Sequence, residues 1–213
     1  MHPQPPLRTT HVAGNPTAML MFDRWGQFGR PVLLLHGLLF DRTMWWPAAA
    51  ALAGPRCTVV APDLPGHGQS PPRDDCRVED LAAQLAVLVH QLGLHRAPIV
   101  VGHASASRLA AAFAAGHATH DLVTVDEPPV DATDVEDLIA AARPGDVPEH
   151  YQPYARPRTD PALLCAYGSW LHQPPARRNQ PALAGRAGGR PPAGPFAHLT
   201  DPDAFAAQLR ELL

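Results

Sequence analysis

"IVVGHASASRLAAAFAAG", residues 99–116, decides how this chain reads. Its first part is an apolar, β-branched run that reaches Gly102. Its second part is rich in alanine, places Leu109 and Phe113 four apart on one face and stops at Gly116. That is a strand, a sharp turn and a helix. Ala104 stands at the apex of the turn.

Other runs of the first kind are "PVLLLHG" (31–37), "CTVVAPD" (57–63) and "LVTVDEPP" (122–129). "AMLMFDRWG" (18–26) reads as a further strand with a turn after it, and residues 1–16 as a loose lead-in. Runs apolar on both faces and stopped by Gly or Pro suit parallel strands covered by helices. Helical patterns lie between and after them. Val78, Leu81, Leu85, Leu88 and Leu92 recur at helical spacing before Gly93. Later helices are expected at "DVEDLIAAA", at 160–173 with Asp160 as cap and Pro161 in the first turn, and at the end behind Asp201 and Pro202. The alternation predicts an α/β fold, a mostly parallel sheet with helices on both faces. Residues 1–213 are expected to form a single domain, with a small helical cap over 128–172.

Residues 173–195 break the rhythm. This stretch holds six prolines and four glycines, with no β-branched or aromatic residue. It reads as a Pro/Gly-rich connector, unfit for a buried strand.

Composition bounds the partners. All 17 basic residues are arginine, scattered along a chain of net charge -3. No basic stripe calls for nucleic acid or an anionic membrane. Cys57, Cys76 and Cys165 are far apart and form no CxxC, which fits a reducing compartment. No apolar stretch is long enough to cross a bilayer and the start has no apolar leader core. A cytoplasmic location is the expectation. The 12 histidines show no paired-ligand spacing, so no metal and no cofactor are called for.

The first 130 residues resemble the α/β-hydrolase superfamily, in its small esterase, lactonase and haloperoxidase-like branch. Three segments carry the resemblance, in order and on expected strands: "PVLLLHGLLFDRTMW", "CTVVAPDLPGHGQS" and "VVGHASAS". "GPFAHLTDPDAFAAQLRELL" is similar to the family's last histidine loop and helix. The resemblance implies an α/β-hydrolase-like fold, truncated after about strand six, because the 23-residue connector is too short for two more strands and a helix. Strand six would then be an exposed sheet edge through which a homo-oligomer could pair.

It also implies where a catalytic triad would stand. The nucleophile position is Ala104, flanked by the small Gly102 and Ala106 that the strained elbow needs. Ser105 lies one place on. As nucleophile it would put the bulky His103 at a small-residue position; otherwise its N–H faces the pocket. The oxyanion loop is His36-Gly37 followed by Leu38, whose N–H would be a donor, although "HG" is also simply a tight turn. The expected histidine position is Pro195, after Gly194; His198, three residues later, is the remaining imidazole. Asp126, beside Glu127, stands where some branches place the acid. Trp45 and Trp46 are core or pocket wall.

Ser105, Asp126 and His198 are therefore the catalytic candidates, and Leu38, Ser105, His36, Gly37 and Trp45 the oxyanion and pocket candidates. The implied ancestral activity is hydrolysis of a small ester, lactone or other acyl substrate, with the triad degraded. The alternatives are a non-catalytic protein binding a small ligand, and a decayed or internally deleted hydrolase.

Overall fold

The apolar runs become strands. The computed structural model describes residues 7–16, 18–126, 147–158, 160–171 and 196–213. Its sheet contains β1 (Arg8–Ala13), β2 (Leu20–Trp25), β3 (Arg30–Leu35), β4 (Cys57–Pro62), β5 (Ile99–His103) and β6 (Asp121–Val125). Their order is β1-β2-β4-β3-β5-β6. The pairs β3/β4, β3/β5 and β5/β6 are parallel, and β1 and β2 join the sheet antiparallel. Among the described residues β6 is the last strand on its side.

Every residue of β4 and β5 is buried, as expected for strands covered on both faces. Alternate residues point to opposite sides. Val32, Leu34, Val59, Ala61 and Val101 face one core. Leu33, Leu35, Val60 and Val100 face the other. The first core is closed by α1 (Trp46–Leu52) and by the C-terminal helix Pro202–Glu211, through Ala49, Phe205 and Leu209. The second is closed by α2 (Val78–Gln91) and α3 (Ser107–Gly116), through Leu81, Leu85, Leu109 and Phe113.

Local chemistry sets the helix ends. Glu79 and Asp80 lie in the first turn of α2, where negative charge matches the sign of the helix dipole. Asp201 caps the C-terminal helix by accepting the Ala204 N–H at 2.9 Å, with Pro202 in the first turn.

The lead-in contains a strand: β1 pairs with β2 in the register Thr10↔Asp23, although most of its residues are exposed. Its anchor is polar, since Thr10 donates to Asp23 Oδ1 at 2.6 Å and Arg8 pairs with Oδ2 at 3.1 Å. The helix expected over 160–173 is two helices, α4 (Pro161–Ala166) and α5 (Gly168–Leu171). The break falls at Tyr167, whose buried phenol donates to the Pro65 carbonyl at 2.8 Å. Trp170 in α5 donates its Nε1–H to the Cys76 carbonyl at 2.7 Å. These two bonds set the helices onto the loop between β4 and α2. Helix α1 was not foreseen, and a short helix, α6 (Ala197–Thr200), precedes the C-terminal helix α7 (Pro202–Glu211). Of the cap expected over 128–172, the stretches 147–158 and 160–171 are described. The helix "DVEDLIAAA" and the connector lie outside the described residues, as do Glu127, Gly194 and Pro195.

Candidate functional site

The carboxyl end of a parallel sheet is where α/β folds present chemistry, because loops open there around rigid strand ends. In this chain those ends are the turns after β3, β4, β5 and β6, and the turns after β3, β5 and β6 hold the candidate residues. The turn after β5 is a tight 3-10 turn, Ala104–Ala106, leading into α3. Ala104 sits at its tip with φ +47, a left-handed conformation that a residue with a Cβ adopts only under constraint. The small residue before it, Gly102, is required by space. A Cβ on Gly102 would lie 2.6 Å from the Ala106 carbonyl oxygen and 2.9 Å from Ala110 Cβ. The turn is thus tight and strained, and a methyl group occupies its tip.

The turn after β3 packs against this tip. A Cβ on Gly37 would meet His103 Nδ1 at 3.1 Å and Ala104 Cβ at 3.4 Å. Leu38 N–H donates to Ser105 Oγ at 3.0 Å, and both groups are buried. His36 orders the turn. Its Nε2 accepts the Leu64 N–H at 2.9 Å, so its proton is on Nδ1, which donates to the Gly37 carbonyl at 2.9 Å. His36 is wholly buried, and burial, with the neighbouring His67, lowers its pKa to about 3. His67 sits between the Leu38 carbonyl at 2.9 Å and the Pro65 carbonyl at 3.1 Å, its ring 4.9 Å from that of His36. Burial lowers its pKa too.

His198, the remaining imidazole of the C-terminal loop, points into the core. It is wholly buried, with its ring 4.3 Å from Trp45 and 5.3 Å from His103. Neither of its ring nitrogens has a hydrogen-bond partner among the described residues. Burial holds its pKa well below the ordinary imidazole range. Trp45 is itself fully buried and packs against Phe205 as well.

Asp126 follows β6. His103 and Val125 are paired in the β5/β6 ladder, so Asp126 and Ala104 are the next residues on neighbouring parallel strands. Asp126 also has positive φ, +53. Its half-buried carboxyl makes no hydrogen bond or ion pair among the described residues, and burial raises its pKa to about 6. Ser105 and Leu38 are therefore brought together, and Asp126 is placed beside Ala104. No hydrogen bond joins Ser105, Asp126 and His198 among the described residues.

Two groups were not foreseen. One is His103, buried between Phe40, Trp45, Phe196 and His198. Its signal was its place just before the elbow tip. The other is the ion network behind the loops: Arg42 bridges Asp63 and, through Nε at 3.0 Å, Asp23. Trp46 Nε1–H donates to the same Asp23 at 2.7 Å, and Gln69 N–H to Asp63 at 2.8 Å. Gly68, at φ +51, is needed because a Cβ there would overlap the Asp63 carboxylate. Among the described residues no group of three or more His, Cys, Asp or Glu is placed to hold a metal ion. No helix among them is long and apolar enough to cross a membrane.

Comparison with known proteins agrees with this architecture. An N-acyl homoserine lactonase mutant complexed with N-hexanoyl homoserine superposes with a TM-score of 0.61 at 20% identity, covering 81% of this chain and 73% of that one. An E-2-(acetamidomethylene)succinate hydrolase does so at 0.63 and 20% identity, covering 78% and 74%. A thermophilic esterase from Thermogutta terrifontis gives 0.59 and 22%, covering 79% and 73%. Such similarities carry the fold. Among curated sequences, uncharacterized proteins of Mycobacterium tuberculosis and Mycobacterium bovis are 42% identical over 87 residues, 40% of this chain. The matched stretch amounts to 25% of the length of those relatives. The family model of the alpha/beta hydrolase fold matches residues 30–183, and the chain belongs to that family.

Proposed function

We propose that this member of the family holds a small acyl compound, an ester or lactone, at the carboxyl ends of β3, β5 and β6 without forming a covalent acyl intermediate. The observation that carries this reading is Ala104 at the elbow tip with φ +47. The backbone there keeps the strained form that serves a nucleophile, while a methyl group has no lone pair to offer. Two further observations support it. The neighbouring hydroxyl, Ser105, bonds to a backbone N–H and to no imidazole among the described residues. His198 is enclosed by aromatic rings, away from proton exchange. With nucleophile and base uncoupled, what remains of such a site is binding and backbone hydrogen bonding.

The test combines turnover and binding. p-Nitrophenyl acetate and butyrate are expected to be hydrolysed no faster by the unaltered chain than by Ser105→Ala. A thermal-shift series with γ-lactones and alkyl acetates is expected to raise the melting temperature. Turnover that disappears in Ser105→Ala would make Ser105 a nucleophile and end this reading.

One observation favours a second reading. Asp126 stands beside the Ala104 tip with its pKa raised to about 6 by burial. A carboxylate so placed could activate a water for direct attack on a bound ester. That chemistry has its own signature: turnover that rises with an inflection near pH 6 and vanishes in Asp126→Asn.

A further inference from the structure

The Gly37–Leu38 peptide is held from both sides. Its carbonyl accepts from His36 Nδ1–H at 2.9 Å and from the Phe40 N–H at 3.0 Å. The peptide is trans, so its N–H points the opposite way, onto Ser105 Oγ at 3.0 Å. The next carbonyl, that of Leu38, is engaged by His67 Nε2 at 2.9 Å. A hydroxyl has one proton to give and two lone pairs to accept with. Ser105 uses one lone pair on Leu38, and its own proton meets no acceptor among the described residues. The residue is 5% exposed. Buried donors are almost always matched to an acceptor. This one lies next to the Ala104 tip.

We infer that Ser105 is the residue that reads the ligand's oxygen: its O–H donates to the carbonyl of a bound ester or lactone while its Oγ keeps the Leu38 N–H. The inference rests on the acyl-binding reading above. Donation from the amide into the hydroxyl polarises the O–H and strengthens its bond to the next acceptor. The backbone donor thus acts one hydrogen bond further out, through a side chain. The role is non-covalent: no bond to Ser105 forms, and the proton stays on Oγ.

The experiment is an amide-resolved NMR titration with γ-octalactone of the unaltered chain, Ser105→Ala and Ser105→Thr. In the unaltered chain the Leu38 and Ser105 amide signals are expected to shift and saturate. Ser105→Ala should bind roughly 5- to 10-fold more weakly, as for loss of one hydrogen bond, and Ser105→Thr within about twofold. A dispersed spectrum identifies a folded variant, and Ser105→Gly repeats the alanine test. Lactone binding to Ser105→Ala that equals or exceeds that of the unaltered chain overturns the role of Ser105 and leaves the acyl-binding reading standing. Saturation that moves other signals but neither of these two amides does the same. No binding to the unaltered chain overturns both.

Discussion

Trp45 and His198 pack ring against ring at a tilt, with centroids 4.3 Å apart and planes inclined by 40°, both wholly buried. The indole takes the imidazole as a flat core side chain and gives it no hydrogen bond. A buried polar atom without a partner costs about 1–3 kcal/mol. Replacing it by an aromatic hydrocarbon of similar shape removes that penalty. His198→Phe is therefore expected to stabilise the protein by about 1 kcal/mol at pH 7, read as a higher urea midpoint. Marked destabilisation, or loss of an ester turnover present beforehand, would show that the imidazole makes a bond that this packing lacks.

Acid should unfold the protein early. His36 is lowered to about 3 and His67 and His198 are also lowered, in each case first by burial. The unfolded chain takes up these protons below about pH 6.5, where the folded chain refuses them. Stability is then full above that pH and falls as pH drops towards 3. Each such histidine contributes up to about 1.4 kcal/mol per pH unit. Asp126 acts with the opposite sign, since its folded carboxyl, raised to about 6, takes a proton before the unfolded one does. Asp126→Asn should steepen the acid loss. Denaturant melts between pH 7 and 4 measure both effects, and a flat profile would refute the buried neutral histidines.

Arg42 lies between two fully buried carboxylates, Asp23 and Asp63. Removing one member of a buried ion cluster leaves charge without compensation. Arg42→Met is expected to destabilise by about 3–5 kcal/mol, with the double change Arg42→Met, Asp63→Asn losing less than the sum of the two single changes. Strict additivity in a double-mutant cycle would show that the network is not coupled.

Ala104 holds its φ of +47 under strain that glycine does not feel. Ala104→Gly is expected to stabilise by about 1 kcal/mol. Ala104→Ser restores a hydroxyl at the tip, yet His198 remains enclosed by Trp45, Phe196 and Phe205. It is expected to show no rapid acylation burst with p-nitrophenyl acetate. Stopped-flow absorbance checks this, and a stoichiometric burst would mean that a base reaches the tip.

Much of the fold was legible in the residues, because burial on both faces writes itself locally. β3, β4 and β5 are continuous apolar runs, α2 carries its helical stripe, and Asp201-Pro202 announces the last helix. The Ala104 tip was legible too, since only small residues fit around a turn so tight. β1 was not, because an exposed edge strand has no apolar pattern; its partner β2 and the buried Asp23 define it. The break at Tyr167 was hidden for the same reason: its acceptor, Pro65, is 102 residues away. The Leu38–Ser105 bond spans 67 residues, and the Trp45–His198 ring contact joins the first and last parts of the chain. Periodicity, caps and turn residues act between near neighbours, so the sequence by itself determined most of the elements and the place of Ala104 at the tip of the turn after β5. Hydrogen-bond partners and burial of single polar groups depend on which distant segments meet, and those only the tertiary structure decided.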